Sequence, residues 1–209
     1  MKNILLSLLV ISFFSSCKKN DATNPTPVTP VSTAITIESS ERITANIDGV
    51  SYSKITGDGT YRGSSGSSKS MRSLPDSSSA RYSSSITDAG FNTTYFWVQK
   101  GTIVFQNYEP TNAIYKSFFT PGVYNYDFDA NHGINIEWND DAGTSWNTDK
   151  GTGIQTGSHF EITDMKDFLD LTGEYYVKIK ASFNCIVYND LGQSKTITNG
   201  IYIGSFGNF

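Results

Sequence analysis

Apolar and polar residues alternate most regularly between Tyr175 and Tyr188. Every second residue from Tyr175 to Val187 is apolar, whereas Lys178 and Lys180 lie among the intervening positions. A period of two is expected where a β-strand buries only one of its faces. The pattern therefore predicts a half-buried strand over residues 175–188.

The residues after this strand predict a hairpin. The sequence Asn-Asp-Leu-Gly at 189–192 consists largely of residues that favour turns. Residues 195–203 then return to a strand-like pattern, so we expect them to pair with residues 175–188. The Asn199-Gly200 pair inside this segment predicts a bulge or a further turn.

Two further hairpins are predicted upstream. Residues 94–99 and 102–106 are aromatic and β-branched, and the Lys-Gly pair between them suits a two-residue connection. Apolar residues also alternate over 123–128 and over 134–138. Repeated short strands joined by turns indicate an all-β fold. We expect an antiparallel β-sandwich, with a partly open β-barrel as the alternative.

Two segments lack apolar periodicity. The polar stretch before residue 35 contains Pro25, Pro27 and Pro30, a composition typical of an extended linker. Residues 57–79 are rich in Gly and Ser, which predicts a long flexible loop. We therefore expect a single β domain over 35–209 that contains this loop.

The N-terminus is organised like that of an exported lipoprotein. An apolar run from Ile4 to Phe14 is shorter than the roughly 20 residues of a membrane-spanning helix, but it suits a secretory signal. Small residues then precede Cys17, which resembles the lipobox of bacterial lipoproteins. We expect a signal peptide over 1–16, lipid on Cys17 and a tether over 17–34. A core helix is the alternative, but the polar residues after Cys17 argue against it.

The predicted export and lipid anchor determine which partners and which cysteine chemistry we expect. Acyl chains such as palmitate on Cys17 would make a membrane of the bacterial envelope the first partner of the protein. Acylation consumes the Cys17 thiol and leaves Cys185 as the only free thiol, which excludes an intramolecular disulfide. Because Cys185 lies in the alternating strand pattern, we expect it to be a small buried residue rather than a nucleophile.

The charge of the chain argues against nucleic-acid binding. There are 16 Lys and Arg against 20 Asp and Glu, a net charge of −4, and the loss of Lys2 with the signal peptide makes it −5. Nucleic-acid binding depends on clustered basic side chains, whereas the basic residues here are scattered. We therefore expect no nucleic-acid partner.

Three segments carry a family resemblance. They are Thr44–Gly49, Phe119–Tyr124 and Ile197–Gly200. Together they resemble small uncharacterised lipoproteins of the Bacteroidota type, over residues 41–209. The resemblance implies a β-sandwich-like domain, and the two lysines after Cys17 are similar to theirs, which implies an outer-membrane location at the cell surface. Its motifs are turns and strands, so it implies no particular activity.

Catalytic motifs are weak in this sequence. Residues Ser51 to Lys54 match the Ser-x-x-Lys pattern of penicillin-recognising enzymes, but the partner motifs Ser-Asp-Asn and Lys-Thr-Gly do not occur. His132 and His159 have no second histidine at metal-ligand spacing, so a turn and a strand position explain them. We assign no catalytic residue and expect no enzymatic activity.

One loop has the composition of a calcium site. Asp127, Asp129 and Asn131 place oxygen ligands at alternate positions just before a glycine, which makes them candidate calcium ligands. The EF-hand pattern is not met, because His132 stands at the glycine position and Trp138 at that of the bidentate glutamate. A hairpin turn explains the same residues, and we expect the turn rather than a metal cofactor.

Two classes of function fit these features. The first is a non-catalytic binding or surface-assembly module that takes a glycan or a surface protein. The 13% aromatic content, including Trp97, Trp138 and Trp146, favours a glycan. The second is a hydrolase whose carboxylates converge only in the fold. Exposed aromatic rings in one plane would favour the first class and converging carboxylates the second. We expect the first, and the sequence identifies no ligand-binding residue.

Overall fold

Eleven strands and one short helix make up the part of the chain that the structure describes. The structure is a computed structural model and describes residue 37 and residues 39–72, 77–90, 94–127 and 132–209. These residues belong to the compact unit Ile35–Phe209. The elements are β1 (Arg42–Ile47), β2 (Val50–Ile55), β3 (Tyr61–Ser70), β4 (Ser78–Asp88), β5 (Tyr95–Phe105), α1 (Asn112–Phe118), β6 (Gly122–Tyr124), β7 (Ile134–Asn139), β8 (Ser145–Asn147), β9 (His159–Leu169), β10 (Tyr175–Tyr188) and β11 (Ser194–Gly207).

The strands form one curled antiparallel sheet. Its order is β2-β1-β11-β10-β8-β7-β5-β4-β3, with β9 paired to β10 and β6 paired to β9. The curl brings β3 and β4 against β11, where Tyr202 Oη donates a hydrogen bond of 2.8 Å to Ser84 Oγ. The predicted all-β class is thus confirmed, and the curled half-barrel is consistent with a sandwich or a partly open barrel.

Aromatic side chains fill the inside of the curl. The largest fully buried rings are those of Tyr82, Phe96, Tyr115, Phe118, Phe119, Phe160, Phe183, Tyr202 and Phe206. Many pack edge to face or tilted, as Phe119 and Phe206 do with ring centres 4.8 Å apart. Most of the aromatic residues that the structure describes therefore lie in the core or pack against it.

The hairpin of β10 and β11 confirms the clearest sequence pattern. Val177, Cys185 and the residues at every second position between them are buried. The ladder shifts register between Phe183 and Cys185, opposite Asn199, which has a φ of 53°. The Asn199-Gly200 pair is therefore a bulge, which was one of the two predicted alternatives.

The first hairpin joins β1 to β2 through a two-residue turn. Asp48 and Gly49 have φ angles of 49° and 82°, which suits a turn that matches the twist of paired strands. Asp48 Oδ1 accepts a hydrogen bond of 2.9 Å from the Thr196 backbone N–H. The turn is therefore tied to β11, which pairs with β1 along the sheet.

The predicted hairpin over 94–106 is wrong. Tyr95–Phe105 is one continuous strand, and the Lys-Gly pair lies at a register shift in its pairing with β4. The cause is that the Lys100 side chain points into the core, where its ammonium lies 3.5 Å from the centre of the Tyr124 ring. Gly101 N–H meets the Gly133 carbonyl at 3.0 Å and continues the sheet instead of turning.

The predicted hairpin between 123–128 and 134–138 is also wrong. Gly122–Tyr124 pairs with β9, whereas Ile134–Asn139 pairs with β5 on one side and β8 on the other. Both edges of β7 are thus occupied by other strands. The Ile134 N–H donates to the Asn125 carbonyl at 2.9 Å, but this bond joins residues outside β6 and does not make the two segments a pair of strands.

The Gly/Ser-rich segment predicted as a loop over 57–79 contains a strand. Residues 61–70 form β3, which pairs with β4 along its whole length. Its small side chains are needed because β3 closely approaches β11 and the residue just before β1. The Glu41 carboxylate, for example, occupies the space where a side chain on Gly63 would lie. Composition alone suggested a loop because these close contacts come from distant parts of the sequence.

The helix α1 was not predicted. The Thr111 hydroxyl caps it by accepting from Ile114 N–H at 3.3 Å, and Tyr115 and Phe118 bury its apolar side. The helix has seven residues, of which only two are buried. Two apolar positions are too few to show the 3.6-residue period of a helix in the sequence.

Candidate functional site

Three residues of β5 point away from the core onto the outer face of the sheet. Phe96, Val98 and Lys100 are buried on the inner side. Strand geometry therefore places Tyr95, Trp97 and Gln99 on the opposite side, where they are partly exposed. Trp97 is the one tryptophan of the three in the sequence that lies on this face.

Small residues of β3 and β4 lie beside Trp97 and leave a groove. Ser85 is paired opposite Trp97, Ser83 is opposite Gln99, and Gly66 is in turn opposite Ser83. We call this cavity of about 410 Å³ the Trp97 groove; its walls include Gly66, Ser68, Arg81, Ser83, Trp97 and Gln99. The missing side chains beside the indole create the space that a ligand would fill.

The aromatic side of the groove is held in place by polar contacts. The Tyr95 and Trp97 ring centres are 5.1 Å apart, with the rings tilted by 36°. Tyr95 Oη donates a hydrogen bond of 2.5 Å to Glu137 Oε1. Burial and this carboxylate raise the pKa of Tyr95 to about 12, so the phenol stays neutral at neutral pH and keeps donating.

The polar side of the groove is equally ordered. Gln99 Oε1 accepts a hydrogen bond of 3.1 Å from Asn135 Nδ2, and Asn135 Oδ1 accepts one of 2.6 Å from Thr148 Oγ1. This chain fixes the Gln99 amide, whose N–H donors have no hydrogen-bond partner among the residues that the structure describes. Arg81 lies in the same wall, where its Nε donates to Thr102 Oγ1 at 3.2 Å.

The Trp97 indole N–H is a buried donor beneath this surface. Nε1 is buried and has no hydrogen-bond partner among the described residues. A buried donor without a partner costs about 1–3 kcal/mol. Together, a partly exposed indole, an ordered amide, a guanidinium and serine hydroxyls are the groups that hold a flat polar molecule by stacking and hydrogen bonds.

The other two tryptophans are not on an exposed face. Trp138 and Trp146 are each 6% exposed and stack on one another with ring centres 6.2 Å apart. The Lys195 ammonium lies above both rings, 4.7 Å from the centre of Trp146. Trp146 Nε1 donates to Asp140 Oδ2 at 3.0 Å. These contacts keep both rings largely buried, although Trp138 and Lys195 also line a cavity of about 460 Å³.

The sequence-predicted site residues are only partly within the described structure. Cys17 lies outside the described residues, as do Asp129 and Asn131 of the predicted calcium loop. Asp127 is described and has an interaction partner. Among the described residues, no group of three or more His, Cys, Asp or Glu side chains is arranged to hold a metal ion.

The remaining candidates occupy ordinary structural positions. Ser51 is exposed, whereas Lys54 is buried on the other face of β2, so strand geometry separates the two groups of the Ser-x-x-Lys match. His132 is in a turn and His159 begins β9. Cys185 is buried, and burial raises the pKa of its thiol, so it packs as the predicted apolar residue.

Sequence reasoning missed most of the Trp97 groove. Gly66 and Ser68 lay in the segment taken as a loop, and Arg81 and Ser83 lie in β4, which was not assigned. Alternation of Ala80, Tyr82, Ser84 and Ile86 was the signal that could have revealed this strand.

Comparison of the chain with protein families, with curated proteins and with solved structures gave no match. In the described part of the chain, no helix is long and apolar enough to cross a membrane.

Proposed function

We propose that this protein is a lipid-anchored, extracytoplasmic glycan-binding module, and that the Trp97 groove is its binding site. The observation that carries the proposal is the position of Trp97. Its indole is partly exposed on a rigid sheet face, beside a groove lined by Gly and Ser. The proposed lipid on Cys17 would hold the module at the outer membrane.

The chemistry of the groove supports a carbohydrate more than other ligands. The C–H face of a pyranose packs on an aromatic ring, while its hydroxyls need donors and acceptors at the edge of the ring. Gln99, Arg81 and Ser83 supply such groups around Trp97. A protein partner would be expected to meet a larger apolar patch than this single indole.

A hydrolase is the alternative function. Glu41 and Asp170 line one cavity elsewhere on the protein. Asp170 Oδ1, however, accepts hydrogen bonds from the backbone N–H groups of Thr172 and Glu174, at 2.8 and 2.9 Å. This is the arrangement of a turn-capping carboxylate, so we propose binding rather than catalysis.

An array of immobilised oligosaccharides tests the proposal. Purified full-length protein in polyoxyethylene detergent, which carries no sugar, should bind a subset of glycans. Trp97→Ala should lose that binding. Tyr108→Ala removes an aromatic residue that is 61% exposed and outside the groove, and it should bind like the wild type. Equal binding by the wild type and Trp97→Ala would contradict the proposed site.

A further inference from the structure

A second cavity lies where residues 63–65 of β3 approach the β9–β10 hairpin and the end of the chain. Its volume is about 400 Å³, and Glu41, Gly63, Ser64, Phe168, Tyr176 and Phe209 line it. It therefore brings together the start of β1, the edge of β3, the end of the β9–β10 hairpin and the residues after β11. We call it the Glu41 cavity.

The Glu41 carboxylate is held against β3 in this cavity. It sits over Gly63, whose lack of a side chain makes the approach possible. Burial raises the pKa of Glu41, and this effect exceeds the opposite effects of a hydrogen bond from Ser205 and of the Lys178 charge. The Lys178 ammonium donates to the Ser39 carbonyl at 2.6 Å, so it is shared with another acceptor.

Aromatic rings form the facing wall of the cavity. Phe168 and Tyr176 are paired across β9 and β10, and their rings stack with centres 5.4 Å apart and planes 15° apart. The Phe209 ring lies 5.9 Å from that of Tyr176, at 59°. Aromatic faces beside a desolvated carboxylate are the surroundings that attract an organic cation.

Elsewhere in this protein, lysine ammonium groups lie over aromatic rings. Lys100 lies over Tyr124, Lys195 over Trp146, and Lys54 over Tyr61 at 4.5 Å. Among the described residues that line the Glu41 cavity, none is Lys or Arg, whereas Glu41 and Asp170 are both acidic. The cavity thus has the aromatic rings and the carboxylates of a cation-binding site. None of the described residues that line it carries a positive charge.

We propose that the Glu41 cavity binds a small organic ammonium ion, with Glu41 as the counter-charge and Tyr176 and Phe209 as aromatic walls. An anionic ligand would face two carboxylates. A neutral one would gain no attraction from the Glu41 charge, which only a cationic ligand can use. This proposal is independent of glycan binding, because the cavity and the Trp97 groove have no lining residue in common.

Calorimetric titration with choline chloride tests the proposal, and 3,3-dimethylbutan-1-ol serves as a neutral probe of the same shape. Full-length protein in polyoxyethylene detergent should bind choline with a Kd of roughly 1 mM or tighter, and the neutral alcohol at least about tenfold more weakly. Equal affinity for the two compounds, or no heat from choline up to about 20 mM, would overturn the proposal.

Two variants and a control assign the site. Glu41→Gln keeps the shape of the side chain and removes its charge, so it should fold normally and bind choline at least about tenfold more weakly. Tyr176→Leu removes a ring wall and should also weaken binding. Glu109→Gln makes the same chemical change on a carboxylate side chain that is 63% exposed, outside the cavity, and should bind like the wild type. Unchanged binding by a folded Glu41→Gln variant would refute the assignment.

Discussion

The carboxylate of Glu41 lies directly over the Cα atom of Gly63, in the space that any larger residue at position 63 would need. The two residues are separated by the β1–β2 hairpin in sequence and meet where β3 closes against the start of β1. This contact links the composition of β3 to the curl of the sheet.

Gly63→Ala should displace the Glu41 carboxylate from its hydrogen bond with Ser205 and lower the free energy of unfolding by about 1–2 kcal/mol. In a Glu41→Ala background the added methyl group has room, so its cost should fall to a few tenths of a kcal/mol. Urea unfolding of the four proteins in this double-mutant cycle measures the coupling. Equal costs in both backgrounds would mean that Glu41 does not occupy the site.

Gly66→Ala, on the same strand, is the matched control. A methyl group there would meet only the Ser83 hydroxyl, at 3.1 Å, which can rotate away. Its effect on stability should be within about 0.5 kcal/mol. Because Gly66 lines the Trp97 groove, the same variant should weaken glycan binding while it leaves the fold intact.

Lys100 is expected to make stability depend on pH. It is fully buried, donates to the His132 carbonyl at 3.1 Å, and burial lowers its pKa to about 7. The unfolded chain, with a normal lysine pKa, binds this proton between about pH 7 and pH 10 and the folded chain does not. The lysine therefore destabilises the fold most below pH 7, and the penalty fades as the pH rises.

Lys100→Met should accordingly be more stable relative to the wild type at pH 7 than at pH 10. The stability advantage of Lys100→Met over the wild type should shrink by up to about 1.4 kcal/mol for each unit of pH between about pH 7 and pH 10. Urea titrations at pH 6.5, 8.5 and 10 measure it, with Lys166→Met, an exposed residue of β9, as the control for losing one positive charge. A difference that is constant with pH would show that Lys100 keeps its proton when folded.

Cys17→Ser should abolish lipid attachment. The hydroxyl cannot replace the thiol that the proposed acylation uses, so labelling with radioactive palmitate should disappear and the protein should be released from the membrane fraction or stay unprocessed. Cys185→Ser is the control, since that thiol is buried in the core. Undiminished labelling of Cys17→Ser would contradict the proposed anchor.

The parts of the fold that were predictable are those with a strong local period. The β10–β11 hairpin was predictable because every second residue of β10 is buried from Val177 to Val187. β3 was missed because its packing depends on contacts such as Glu41 with Gly63, which sequence composition cannot display. The Lys100-Gly101 pair predicts a turn because nothing in the local sequence shows that aromatic rings surround the lysine.

The candidate site was less predictable than the fold. Trp97 was among the aromatic residues singled out, but sequence could not separate it from Trp138 and Trp146, which are buried. Gly66 and Arg81 join it only through the pairing of β3, β4 and β5. A site that spans three strands has no short motif, so its members were not recognisable individually.

The NMR shifts of the three indole N–H groups on addition of a glycan report directly which tryptophan binds it. Selective ¹⁵N labelling of tryptophan gives one indole signal per residue, and single Trp→Phe variants assign them. With a glycan selected on the array, the Trp97 signal should move in a saturable manner, while those of Trp138 and Trp146 stay in place. Movement of the Trp138 or Trp146 signal without that of Trp97 would contradict the account.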